Sequence, residues 1–510
     1  MNLANLVVGH PEGGRALHDE GGWHTWADVR AGAAAAALAL ERAGVGPGDR
    51  VALAMPASAG FVAAYLGILA AGAVAVPVNP AVPAPELARE LGAVSPAVVL
   101  GAAVAAGPLR DAAGALRHGV EVLVSDGGHG DWDEALGAAR AAGAERLQPV
   151  PRGPDDVAVL LHTSGTAGSP KPAVLTHGAM AANLAQMQAV PGQSVLPDDV
   201  GLAVLPLFHV FGLNVALGLA LATGAPLAVD DRFDPGAVLR LVRDLRVTMV
   251  VSVPAVFAQL VRYVDGDGGR DVGAAASVRQ AVAGGAPLLP GLVEAVRDRL
   301  GVPLHQGYGL TEASPAVTTT LAGGSPAAGS VGRPLPGVEV RLVDEDGADV
   351  LAGDPGEIWV RGPNVFPGYW GDEPASAAVR APGGWLRTGD VGVSGAAGDL
   401  FVVDRVKDLI IVSGFNVYPG EVERVVADMP GVADAAVVGR PDPVSGETVE
   451  ALVVPADPAA PPTGGAVIEH CARYLARYKC PTTVRLVPAV PRNAGGEAVR
   501  RSVRGGGPGA

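Results

Sequence analysis

A chain of 510 residues, 49% hydrophobic and 17% charged, is too long for one core and too apolar for a disordered polymer, so two or more packed domains are expected. The formal charge of −15, with no basic block beyond Arg500, Arg501 and Arg504, argues against nucleic acid as a partner. Two cysteines, Cys471 and Cys480, are too few for a disulfide framework and lack metal-ligand spacing, which fits a reducing cytoplasm.

In chain order, residues 1–5 lack the basic start of a signal peptide. Residues 25–45 predict an Ala-rich helix ending at Gly44, followed by a strand over 51–55, a helix over 60–71 and a strand near 73–78. The uncharged runs 51–85 and 201–229 imitate membrane spans. Internal Pro and Gly break both, so each is expected to be buried α/β core. The Ala/Gly-rich stretch 103–117 predicts nothing. The apolar run Val157 to Leu161 predicts a buried strand. Alternating β and α elements to about residue 330 imply doubly wound parallel sheets. Beyond 330, short alternating strands at 339–343, 356–360 and 400–403 suggest a β-rich subdomain. A new α+β unit starts after Arg405, with a helix over 420–428, a strand over 433–439 and a helix over 465–477. The expected division is a large domain, 1–403, and a small one, 404–510.

The stretch Thr163-Ser164-Gly165-Thr166-Ala167-Gly168-Ser169-Pro170-Lys171 packs hydroxyls, glycines and one lysine behind that strand. Glycines let backbone N–H groups approach an anion, hydroxyls add donors, and the lysine adds a point charge. That is the chemistry of a polyphosphate cradle, with a polar surface loop as the plain alternative. The lysine lacks a following Ser or Thr, so this is not the G-x-x-x-x-G-K-[ST] loop. Only three lysines occur, Lys171, Lys407 and Lys479. Where arginine dominates, a retained compact ammonium suggests a specific need for it.

Five further motifs follow in order: Pro206 to Gly212, containing His209; Gly284-Gly285-Ala286-Pro287; Gln306-Gly307-Tyr308-Gly309-Leu310-Thr311-Glu312; Thr388-Gly389-Asp390; and Asp404 to Asp408 with Gly414 to Glu423. Together with the glycine-rich loop, this series resembles the adenylate-forming superfamily of acyl-CoA synthetases, aryl-CoA ligases, luciferases and peptide-synthetase adenylation domains. The resemblance implies an α/β fold: a large N-terminal domain of doubly wound sheets with a β-rich subdomain, and a small α+β C-terminal domain that rotates about a hinge at Lys407. It implies a cytoplasmic ligase that uses ATP and Mg²⁺ to activate an aryl or fatty acid, forms an acyl-adenylate, and passes the acyl group to a thiol such as coenzyme A. Thr163, Ser164, Gly165, Thr166, Gly168 and Lys171 would hold the β- and γ-phosphates. Thr311 would contact the α-phosphate and Glu312 the Mg²⁺. Tyr308 would lie on the adenine, beside Gly284–Pro287 and Gln306–Gly309. Asp390 and Arg405 would hold the ribose end, and Lys407 and Gly414 are placed among the cofactor-contacting residues. His209, Phe211, Gly284 and Gly307 would wall the acyl group, with Gly212, Ala313 and Ser314 as weaker candidates.

One departure matters. The family's C-terminal motif, Pro-Arg-Asn-x-x-Gly-Lys, appears as Pro491-Arg492-Asn493-Ala494-Gly495-Gly496-Glu497. Glu497 therefore stands where the resemblance implies a catalytic lysine. The alternatives that follow are a ligase slow in its first half-reaction, atypical chemistry (nitrite activation for diazotisation of an aryl amine, or amide formation), a nucleotide-binding non-catalytic descendant, and an ordinary ligase carrying a substitution.

Overall fold

The computed structural model describes residues 1–490 except 117–118, 165–169, 193, 231, 267–272, 274, 287, 289, 323–326, 345, 396, 406–409 and 418; of 164, 170, 290, 403–405 and 416 only the backbone is described. Four sheets organise these residues.

The helix Trp26–Arg42 starts with a reciprocal cap between Thr25 and Asp28 and stops ahead of Gly44, which turns at φ +81°. It packs on the helix Ala59–Ala70 through small residues. A Cβ at Gly67 would sit 2.4 Å from that of Ala36, so only glycine permits this approach. The uncharged run expected as strand, helix and strand is found as Arg50–Ala54, Ala59–Ala70 and Val74–Pro77. No described helix is long and apolar enough to cross a membrane.

The strands Arg50–Ala54, Val74–Pro77, Val98–Ala102, Glu121–Ser125 and Val157–Ser164 run parallel in a six-stranded sheet. Pro170–Thr176 closes it as an antiparallel edge. A nine-stranded sheet contains the parallel neighbours Gly201–Ala203, Met249–Ser252, Gln280–Ala283 and Leu304–Gly309. One apolar cluster joins residues of both sheets, such as Leu53 and Leu161 with Leu227 and Val229, to the two helices above. The doubly wound expectation is met. Beyond 330, where a β-rich subdomain is expected, Glu339–Val343, Gly356–Arg361, Arg380–Ala381, Trp385–Ser394 and Leu400–Arg405 form an antiparallel sheet. The fourth sheet gathers Ile410–Val412, Phe415–Val417, Val432–Asp442, Gly446–Pro455 and Thr483–Leu486, with the helices Pro419–Ala427 and Gly464–Ala472 against it.

Two expectations need correction. The stretch 103–117, unread in the sequence, contains the helix Ala106–Gly114. The helix expected over 465–477 ends at Ala472. The segment beyond it serves a distant partner: the Ala476 N–H donates to the Glu86 carboxylate at 2.8 Å, and a short turn at Arg477–Lys479 follows. Both cysteines are free and buried.

Candidate active site

Thr163 and Lys171 face each other across the hairpin Val157–Ser164/Pro170–Thr176, and the Thr163 hydroxyl donates to the Lys171 carbonyl at 3.1 Å. The hairpin thus fixes both ends of the glycine-rich loop. Gly165, Thr166 and Gly168 and the Ser164 side chain lie outside the described residues. On the outer side, Trp370 N donates to Pro172 O at 2.7 Å and Val174 N to Gly368 O at 3.0 Å. These bonds bring in Tyr369, which sequence reasoning missed. Its ring lies 5.7 Å from Lys171 Nζ, and its hydroxyl donates to Glu312 at 2.6 Å. The glycine before an aromatic pair at 368–370 was the available signal.

Glu312 sits in the short turn Thr311–Ala313, just beyond the strand Leu304–Gly309. A Cβ at Gly309 would fall 2.1 Å from Pro315 O, so the strand makes this turn only with glycine. Tyr308, one residue earlier, donates to Asp390 at 2.8 Å. Asp390 is buried. Its own N–H donates to Thr388 Oγ1 at 3.1 Å, and Gly389 N–H donates to Glu357 at 3.2 Å. Arg405 lies opposite Asp390 by backbone register, with its side chain outside the described set. Two separate sheets therefore meet at the Tyr308–Asp390 bond.

Gly284 follows the strand Gln280–Ala283. A Cβ there would meet the Phe211 ring at 3.1 Å and Gly307 O at 3.3 Å. Gly285 turns at φ +77° towards the loop of the fourth sheet, where Gly414 stands at φ +84°. A Cβ on Gly414 would lie 2.3 Å from Val253 Cγ1, so the two backbones approach through paired glycines. Phe415 then stacks on Tyr478 at 4.5 Å and sits 6.4 Å from Phe208 and 6.3 Å, edge-on, from His209.

His209 is half-buried, and desolvation pushes its pKa down to about 4 and leaves the ring neutral. Its Nδ1 accepts from Phe211 N–H at 3.3 Å, so the proton belongs on Nε2. Gly212 serves packing: a Cβ there would meet Pro206 O at 2.3 Å. Ala313 and Ser314 are fully buried and do not line the cavity.

That cavity holds about 410 Å³ and draws on every element above. Thr163, Lys171, His209, Thr311, Glu312 and Asp390 line it, with Gly414 and the backbones at 284–286 and 306–309. Pro287, Lys407 and Glu497 lie outside the described residues.

Lys479 lies away from these residues. It is buried against Glu86 of the helix Ala84–Val94 and lies 3.2 Å from Glu421. Arg89 approaches Glu421 at 3.8 Å. Burial alone would lower the Lys479 pKa, but Tyr478, Glu421, Glu86 and Glu90 outweigh it and hold the ammonium charged. Burial and the neighbouring Glu86 push Glu90 up to about 8. The Glu90 carbonyl accepts from His162 Nε2 at 3.0 Å, one residue before Thr163. The docking contacts of the fourth sheet therefore reach the base of the Val157–Ser164/Pro170–Thr176 hairpin.

The profile of the AMP-binding enzyme family matches residues 5–370, and that of the AMP-binding enzyme C-terminal domain matches 421–497. A (methyl-dioxo-octahydroindenyl)propanoyl:CoA ligase of Mycobacterium tuberculosis is 38% identical over 490 residues, covering 94% of this chain and 92% of its own. A feruloyl-CoA synthase of Amycolatopsis is 35% identical over 493 residues, covering 94% and 93%. Among solved structures, the amide bond synthetase McbA from Marinactinospora thermotolerans superposes with a TM-score of 0.88 at 32% identity, covering 99% of both chains.

Proposed function

This chain belongs to the AMP-binding enzyme family, and from that premise we propose how its cavity performs the two half-reactions of an AMP-forming acid–thiol ligase. The ligase activates a carboxylic acid with ATP as an acyl-adenylate and transfers the acyl group to a thiol, that of coenzyme A. In the first half a carboxylate oxygen attacks the α-phosphorus and pyrophosphate leaves. In the second a thiolate attacks the acyl carbon and AMP leaves. Neither needs a covalent bond to the protein. Both need alignment and cancellation of charge.

The observation that carries this reading is the convergence of Lys171, Glu312 and Asp390 on one cavity through two tyrosine bridges. Lys171, set at the mouth of the hairpin, offers its ammonium to the β- and γ-phosphates. Thr163, fixed on the facing strand, marks the other wall. Thr311 reaches the α-phosphate. Asp390, held by Tyr308 and by its own backbone, accepts from the ribose hydroxyls, with Arg405 beside it. The Gly284–Ala286 stretch lines the cavity where the adenine would lie. The metal donor set here is one carboxylate, Glu312, which fits a Mg²⁺ that arrives on the phosphates of ATP and neutralises their charge. His209, neutral and apolar in its contacts, walls the acyl end.

The large and small domains divide at residue 404, with Lys407 as hinge. The paired glycines 285 and 414 mark where the small domain closes on the cavity. A cytoplasmic site of action suits ATP and coenzyme A as co-substrates. A second reading replaces the thiol by an amine. The likeness to McbA and the carboxylate at position 497 favour it.

Glu312→Gln tests the assignment, because it keeps shape and removes the charge. Acid-dependent pyrophosphate release should fall roughly 10²–10³-fold. Calorimetric affinity for MgATP should fall with it. Unchanged affinity and turnover would remove Glu312 from the site.

A further inference from the structure

We propose that the acid is an extended, largely apolar one with a hydrogen-bond acceptor near its far end, and that the buried amide of Gln280 selects it; this rests on the acid-activation reading above. Gln280, Val282 and Gly284 occupy alternate positions on one strand and its continuation, and all three line the cavity. Four residues of strand span roughly 13 Å at about 3.3 Å each. The cavity therefore runs that far along the sheet from the Gly284–Phe211 contact. On the neighbouring strand Met249 and Val251 stand opposite Gln280 and Val282 and line it too. This floor is apolar except at Gln280, which is 5% exposed.

The orientation of that amide is decided by its neighbour. Arg279 Nη1 donates to Gln280 Oε1 at 3.2 Å. Arg279 is itself clamped: its Nε and Nη2 donate to Asp199 at 2.8 and 2.5 Å, and Nη2 also donates to Ser194 O at 3.1 Å. A guanidinium has only donors, so the amide oxygen must face it. The Gln280 Nε2 then presents two N–H donors, and no group among the described residues accepts from it. Two other glutamines, Gln188 and Gln306, line the cavity, and the Gln188 amide is already used. It donates to Val195 O at 3.0 Å and accepts from Val195 N at 2.8 Å. The Nε2 opens onto the cavity, and covering such a donor without offering it an acceptor is costly, so a ligand that supplies a carbonyl, ether or hydroxyl oxygen at this depth is favoured over one that presents a methylene.

The test compares a medium-chain acid bearing a methyl ketone at its far end with the same acid lacking the ketone, each with MgATP, by initial rate of pyrophosphate release. The unaltered chain should favour the keto acid about tenfold or more in kcat/KM. Gln280→Leu should abolish that preference. Gln280→Met serves in place of any leucine variant that fails to fold, and the comparison in the unaltered chain stands without either. Pyrophosphate release with no preference, or a preference kept in the variant, overturns this assignment alone. No pyrophosphate from any acid overturns the activation reading and this inference together.

Discussion

Replacing Glu497 with lysine is expected to raise the rate of acyl-adenylate formation about 10²-fold or more, read as acid-dependent pyrophosphate release. A preorganised cationic donor at developing phosphate charge contributes roughly 2.7–4 kcal/mol to transition-state stabilisation. The resemblance puts the Glu497 carboxylate at that position, where it would add repulsion from a polyphosphate. The thioester-forming half should be indifferent to the change, so synthetic acyl-adenylate plus coenzyme A should bypass the defect in the unaltered chain. A fall in activity on Glu497→Lys would instead give the carboxylate a positive role, such as holding the ammonium of an amine acceptor. That result would move the assignment from thioester to amide formation.

Lys479→Met should weaken docking of the fourth sheet by about 3–5 kcal/mol, because it strands Glu86 and Glu421 as buried carboxylates without their cation. Synthetic acyl-adenylate plus coenzyme A should then turn over roughly 10²-fold or more slowly, since Gly414 and Phe415 would no longer be held at the cavity. A variant with an unchanged thioester rate and unchanged thermal midpoint would show that this cluster does not hold the dock. The same cluster should respond to pH through Glu90. Its folded pKa is raised from 4.5 to about 8 by burial and then by Glu86. Folding therefore favours the protonated form. The stabilisation is complete below about 4.5 and is lost as pH rises through about 8. Glu90→Gln, a fixed neutral mimic, should flatten the fall in thermal midpoint across that window.

The elements best foreseen were those whose signal is local. The strand at 157–161 and the helix from Trp26 carry their own apolar pattern, cap and stop, and they form where the pattern places them. Glycines 284, 285, 309 and 414 could be singled out, but not the atoms they make room for, since Val253 and Pro315 O arrive through tertiary folding. The helix over 465–477 was overrun because Glu86, which captures Ala476 N–H, lies 390 residues away in sequence. Tyr369 was missed for a related reason: nothing near it in the chain names Lys171 and Glu312 as partners. Lys479 was noticed as a retained lysine. Its role as an ion-pair partner of Glu86 and Glu421 became visible only when separate parts of the chain met. Gln280 reads in sequence as a polar residue in a short strand. Only the clamp of Arg279 on Asp199 shows which way its amide points.

The proposed mechanism has one cavity join ATP to a carboxylic acid before a thiol takes the acyl group. Its most direct test is to incubate the protein and its Glu497→Lys variant with MgATP and a panel of aryl and fatty acids, with and without coenzyme A, and to measure pyrophosphate, AMP and thioester. Pyrophosphate release is expected to depend on the acid and to be faster in the variant, with AMP and thioester released together when coenzyme A is added. Bound ATP that yields no pyrophosphate with any acid, in either protein and with or without coenzyme A, would contradict it.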